Sequence, residues 1–281
     1  MTYYLSWFLA RLNSLVNAVS IPLLKWIGHV PGWLSNTIIS AVIGVLLLIV
    51  FKYVSNQKAI GKVKDSIKAN MLAMRLFKES IVVTFKIEGQ LLKGAVMLLL
   101  YAVKPVLVMI FPVILILAQL SLWFQQRPLN IGEEALVTVQ MNNNMKDALS
   151  EVALQPETSV DTVMGPVVIS SKNQVLWKLK AKEPGYRTLT FDVDSEKFTK
   201  ELAIGNGFMR TSPLRPGYHP LDIIEYPAES PLPTDSVVES ISVEYPDRDG
   251  RLSGTDWWVI YFFGASMFFA LLFKPILKVK F

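Results

Sequence analysis

Cysteine is absent from this 281-residue chain, which excludes disulfides, thiolate metal sites and a cysteine nucleophile. Histidine is almost absent. His29 and His219 lie far apart, each close to a proline, and neither has a partner at metal-ligand spacing. The chain also lacks G-x-S-x-G, a phosphate-binding glycine loop and a paired-carboxylate signature. The acidic stretch "EYPDRDG" from Glu244 has no regular calcium-loop spacing and reads as a solvated turn. The pattern is that of a protein that is not an enzyme, takes no cofactor or metal, and has no DNA partner.

What the chain has in quantity is apolar residues, 52% of the total, and they are clustered. A hydrocarbon core of about 30 Å needs roughly 20 apolar helical residues. Three stretches meet that need: Trp33–Tyr53, Pro105–Phe124 with a preceding apolar run from Gly94 to Val103, and Trp257–Phe273, which extends to Leu277 if Lys274 snorkels. Core helices of water-soluble proteins seldom run this long without a polar face. Trp33, Tyr53, Trp123, Trp257 and Trp258 flank the stretches as an aromatic belt does. Pro112 is expected to kink the second, a defect that neighbouring helices can accommodate.

Charge sets the expected orientation. Lys52–Lys93 holds nine basic and three acidic residues, a net charge of +6, whereas Gln125–Asp256 holds 13 basic and 20 acidic, a net charge of −7. The basic connection belongs in the cytoplasm and the acidic region outside. The C-terminal Lys274, Lys278 and Lys280 agree, so the N-terminus is expected outside and the C-terminus inside. Residues 1–32 do not read as a signal peptide, because Arg11 interrupts the apolar run and no basic region precedes it. Tyr3, Leu5, Trp7, Phe8, Leu12, Leu15, Val16 and Val19 fall near one helical face, as in an amphipathic helix on the outer leaflet.

The acidic region alternates apolar and polar residues in "ALVTVQM", "VVIS", "QVLWKLKAK", "YRTLTFDV" and "KELAIG", with turn-forming clusters between them. This predicts an all-β, Ig-like sandwich over 125–207, with Trp177 as its core anchor. Residues 208–256 are proline-rich and read as an ordered membrane-proximal segment. On the basic side, Ile60, Val63, Ile67, Asn70, Met74 and Phe77 repeat at steps of three and four, a heptad-like seam capped by Ser55 or Asn56. Ser80 ends that helix, and Ile81, Phe85 and Leu92 are expected to face it from a second, antiparallel helix. Residues 54–93 thus read as a cytoplasmic coiled-coil hairpin. Lys62, Lys64 and Lys68, off the seam, are expected at lipid phosphate or ribosomal RNA.

The order of parts resembles the YidC/Oxa superfamily of membrane protein insertases, in the three-span branch that includes the third subunit of the endoplasmic reticulum membrane protein complex and bacterial relatives. The similarity lies in "VFKYVSNQKAIGKVKDSIKANMLAMRLFKES" together with "KPVLVMIFPVILILAQLSLWF", covering roughly the membrane half of the chain. The β-domain between the second and third spans is an addition to that branch. The resemblance implies a multi-pass protein of the bacterial cytoplasmic membrane, with spans over 33–53, 94–124 and 257–277, and a polar groove open to cytoplasm and lipid. Groove and client candidates are Asn36, Ser40, Lys104 and Gln119, with Met97 and Met109 as an adaptable apolar wall and Met71 and Met74 on the hairpin. Lys104 is functional if buried in the bundle and merely snorkels if it stands at the boundary; the sequence favours the boundary. The expected partners are the lipid bilayer and nascent membrane proteins or the ribosome. The alternative is a membrane-anchored interaction protein whose outer domain binds an envelope partner.

Overall fold

The computed structural model describes residues 2–76, 81–142, 152–194, 196–248 and 257–279. Helix α1 (Thr2–Leu24) leads through a 3-10 turn (Lys25–His29) into α2 (Gly32–Val54), followed by α3 (Gln57–Leu76) and α4 (Ile81–Phe124). Strands β1 (Glu134–Met141), β2 (Ala153–Leu154), β3 (Val160–Ile169), β4 (Gln174–Ala181), β5 (Gly185–Val193), β6 (Glu196–Ile204) and β7 (Leu214–Arg215) come next. A short helix α5 (Pro220–Glu225), strand β8 (Val238–Val243) and helix α6 (Trp258–Leu277) complete the described order. The chain divides into two compact units: Met1–Ser35 with Leu115–Val259, and Asn36–Ile114 with Ile260–Phe281.

The first unit holds an antiparallel, sandwich-like pair of sheets ordered β3-β4-β1-β8-β7 and β2-β5-β6. Alternation places Val137, Val139, Val175, Leu179, Leu189, Phe191 and Leu202 in one buried cluster. Trp177 is buried at its centre, as its strand position predicts, with its ring 5.3 Å from that of Phe191. Gly165, at φ +125°, lets the edge strand bulge over that indole, since a Cβ there would stand 2.7 Å from the Trp177 ring. The sandwich does not stop at Gly207. β8 pairs with β1 in the middle of the larger sheet and β7 pairs with β8, so the proline-rich segment contributes strands. Its prolines lie outside β7 and β8, where no ladder donor is lost.

Among the described residues four helices are long and apolar enough to cross a membrane, where the sequence reading counts three; the addition is Tyr3–His29. Pro22 does not end α1, and the continuous helix reaches the required length. In the first unit α1 buries Ser6 and Asn13 together with Leu9 and exposes most of its other apolar residues. Ser6 donates to the Tyr218 carbonyl at 3.0 Å, Asn17 to the Pro227 carbonyl at 2.6 Å, and Asn13 to the Ile223 carbonyl. Around this stripe Trp7, Phe8, Leu15, Val19 and Leu23 are exposed.

The second unit contains α3 and most of α4. Asn56 caps α3 by accepting from the Ala59 N–H at 3.0 Å. Helix α4 runs without a break for 44 residues, about 66 Å, so the return arm and the following apolar helix are one element. Its face toward α3 differs from the expected one. Ile81, Phe85 and Leu92 are exposed, whereas Ile87 is buried and Gly94 sits against Ile67, where a Cβ would come within 2.7 Å. The close approach permitted by glycine sets this register. Phe77 and Ser80, read as the seam's end and the helix stop, lie outside the described residues.

Candidate functional site

Among the described residues of the second unit, two concave sites stand out. The larger is an apolar groove of about 740 Å³ walled by α2, α4 and α6, including Leu47, Phe51, Met109, Phe263, Gly264 and Met267. Four α2 residues on one helical face, Gly44, Leu47, Leu48 and Phe51, form one wall. Helices α2 and α6 run parallel here. Thr37 Oγ1 meets the Tyr261 hydroxyl at 2.5 Å, and further along Gly44 meets Ser266, where a Cβ would stand 2.3 Å from the carbonyl oxygen. Ser266 lines the groove with its hydroxyl committed to the Phe263 carbonyl at 3.0 Å. Among the described residues no charged side chain lines the groove.

The smaller site is a cleft of about 480 Å³ on the hairpin, lined by Lys68, Met71, Leu72, Met74, Arg75 and Leu91. It brings together three of the sequence candidates: Lys68 and Met71 are exposed and Met74 is half-buried. Two thioethers and two leucines beside cationic side chains form a surface suited to an amphipathic or apolar segment. Lys62 is exposed on the same helix and Lys64 half-buried. The Lys64 ammonium is held below the usual lysine range, first by partial burial and then by the charges of Lys274 and Lys68. Lysines of α3 and α6 therefore share one electrostatic neighbourhood.

The other candidates are dispersed. Asn36 and Ser40 are buried on α2, with the Ser40 hydroxyl donating to Asn36 Oδ1 at 3.2 Å, and neither lines the apolar groove. Lys104 is exposed and Met97 half-buried, also away from its lining. Gln119 belongs to the first unit, is 6% exposed, and is already satisfied: it donates to Asn17 Oδ1 at 2.7 Å and accepts from the Ser20 hydroxyl at 2.9 Å. Met109 alone among the candidates lines the larger groove. The sequence reading misses its α6 wall, though Gly264, Ser266 and Ala270 amid bulky neighbours in "WWVIYFFGASMFFALLF" are a readable sign of a thin-walled helix face.

The first unit supplies a separate aromatic junction, also missed. Phe208 lies against Phe124, centroids 5.9 Å apart, and Phe124 stacks on Trp258 at 6.1 Å. The Arg248 guanidinium covers the Phe208 ring at 4.0 Å and donates to the carbonyls of Gly207 and Gln126. Burial, with Arg127 nearby, lowers its pKa to about 10. Gly32 is required where α2 begins, because a Cβ would fall 2.0 Å from the Phe208 ring.

Among the described residues no cluster of three or more His, Cys, Asp or Glu could hold a metal ion. No protein-family model matches the chain, and neither a curated protein nor a solved structure matches it.

Proposed function

We propose that the protein is an insertase-like membrane chaperone of the YidC/Oxa kind, in which the hairpin receives apolar client segments and passes them to the groove among α2, α4 and α6. The observation that carries this reading is the presence, within one compact unit, of a basic, methionine-bearing cleft and an apolar groove walled by three helices. In this reading α2, α4 and α6 span the bacterial cytoplasmic membrane, the N-terminus is outside, and the Ig-like sandwich stands outside as well. The charge contrast between Lys52–Lys93 and Gln125–Asp256 supports that orientation. Helix α1 lies on the outer leaflet. Its hydrogen bonds from Ser6 to Ser20 all reach residues between Gln119 and Pro227, which supports a helix lying along that region over a crossing one. The lining of the groove is apolar where the family resemblance implies polar groups, so clients without charge at that depth suit it best.

The test is insertion of a short-tailed membrane protein into vesicles containing the purified protein, with photocrosslinkers at Met71, Met74 and Met109. Insertion above that of empty vesicles, with client crosslinks at these positions, is the expected result. Insertion equal to empty vesicles without crosslinks would overturn the reading. A second reading, an anchored interaction protein, is favoured by one observation: Val163, Met164, Val167 and Val168 are exposed on the edge strand β3. Capture of an envelope partner that is lost on Val167→Lys would then replace client insertion as the activity.

A further inference from the structure

The groove and the lysines beside it share a direction. On α6 the groove wall extends from Ile260 to Ala270, about 15 Å along the helix, and Lys274 follows Ala270 one turn further on the same face. On α2 the wall ends at Phe51, and Lys52 follows it directly. Because the two helices run parallel and cross at Gly44 and Ser266, Lys52 and Lys274 each stand about 12 Å beyond that crossing. On α3 Lys64 feels the charge of Lys274, and Lys68 follows Lys64 one turn along the same helix. A single occupant that fits this arrangement is apolar along the groove and anionic at one end.

We infer that the groove among α2, α4 and α6 holds an acyl chain of an anionic phospholipid whose phosphate lies among Lys64, Lys68 and Lys274. Its volume of about 740 Å³ falls within the range of small-molecule sites. Gly264 presents bare backbone to open space, with nothing within 4 Å of where a Cβ would be, so a chain can approach the helix closely there. Basic residues at a membrane surface favour anionic over zwitterionic headgroups. The arrangement fits a lipid better than an apolar polypeptide, because a helix filling the groove would bring no fixed anion to the lysines. The inference does not depend on client handling; where both hold, lipid and client compete for the same walls.

The test uses the full-length protein, purified in neutral detergent, depleted of lipid and examined by native mass spectrometry with added phosphatidylglycerol or phosphatidylcholine. The expected result is retention of one phosphatidylglycerol, at least about tenfold in preference to phosphatidylcholine. The triple variant Lys64→Gln, Lys68→Gln, Lys274→Gln should reduce retention to the phosphatidylcholine level. Gly264→Leu, which fills the groove from its open side, should abolish retention of either lipid, and Met267→Trp provides the same obstruction without touching a glycine. Inorganic phosphate, which carries the charge without the chain, should not displace the bound lipid. Equal retention of the two lipids, or displacement by phosphate alone, would overturn the headgroup-and-chain site. So would unchanged retention in a folded groove-filling variant.

Discussion

Strand β1 and helix α1 obey opposite rules. In β1 the buried residues are Ala135, Val137, Val139 and Met141, while Glu134, Thr138 and Gln140 face outward. In α1 the buried stripe is Ser6, Leu9 and Asn13, two polar residues about one apolar, while Leu15 is 67% exposed with Trp7, Phe8 and Val19 around it. Burying apolar area stabilises a fold in water at about 25 cal/mol per Å², and that gain disappears when the surroundings are lipid. Polar side chains hydrogen-bonded to backbone carbonyls then take over as the specific contacts. The two elements lie in one compact unit, so a difference between domains does not account for the contrast; it is the arrangement expected where lipid rather than water covers α1.

Charge sharpens the contrast and gives the largest expected effect. The sandwich buries a cation: Lys200 on β6 donates to Glu229 Oε1 at 2.5 Å and to the Ser212 carbonyl and hydroxyl at 2.5 and 2.9 Å. Burial pulls its ammonium below the usual lysine range while the Glu229 carboxylate opposes the shift. Glu229 also accepts from the Glu201 N–H at 3.0 Å, so this cluster fastens the segment beyond β6 to the smaller sheet. Lys200→Ala leaves a nearly buried carboxylate unpaired and should cost about 3–5 kcal/mol. The paired change Lys200→Met with Glu229→Leu should cost much less. Urea unfolding of the purified protein, read by proteolysis of the sandwich, separates the two; equal losses would show that the charge pair is not what matters.

Next in size are the neutral contacts of α1. Asn13→Leu removes the donor to the Ile223 carbonyl and should cost about 1–3 kcal/mol, even though the substitution raises apolarity. The polar seam of Asn13, Asn17 and Ser20 repeats at steps of four and three. If the same assay showed Asn13→Leu to be stabilising, the buried face of α1 would be apolar after all and the comparison would collapse.

Those residues also show what the sequence made legible. β1, β4 and β5 could be read from alternation because each carries its own pattern, and Trp177 was identifiable at the centre of one. β8 was not, since "VESISV" sits among prolines and becomes a central strand only by pairing with β1. Lys68, Met71 and Met74 converge because they are neighbours on one helix. The groove draws its walls from three separated stretches, so only Met109 was anticipated. Gln119 reads as a groove residue from sequence because a polar group inside a span invites that role. Its partners, Asn17 and Ser20, lie in "NSLVNAVS", outside the residues that define the apolar face of that helix.

A smaller effect concerns pH. Arg127 and Glu133 form a two-pronged pair at 2.7 and 2.8 Å, and Glu133 also accepts from the Asn130 N–H at 2.8 Å. The hydrogen bond from Arg127 is the main cause holding the Glu133 carboxyl below the usual range, with partial burial opposing. A carboxylate with a depressed folded pKa contributes stability above its unfolded value, here about 4.5, and loses it as pH falls through the lowered folded value. Both side chains are roughly a quarter to a third exposed, so screening limits the contribution to about 1 kcal/mol. Glu133→Gln should remove that much at pH 7 and flatten the acid side of the stability profile; a slope unchanged from wild type would discount the pair.

The smallest expected stability change is at Leu15, and it bears most directly on which solvent α1 meets. A substitution at a side chain exposed beyond its own protein usually shifts stability by no more than about 0.5 kcal/mol, so detergent unfolding of Leu15→Cys should barely differ from wild type. The chain has no native cysteine, and a spin label attached there is the sole one. In reconstituted vesicles a label at Leu15 or Val19 should collide with dissolved oxygen, which concentrates in the bilayer, far more than with a charged paramagnetic reagent. A label at Lys172, in the turn between β3 and β4, should show the reverse order. If the charged reagent dominates at Leu15 as well, then water bathes the apolar face of α1. The inversion would then mark a surface awaiting a protein partner instead of one immersed in lipid.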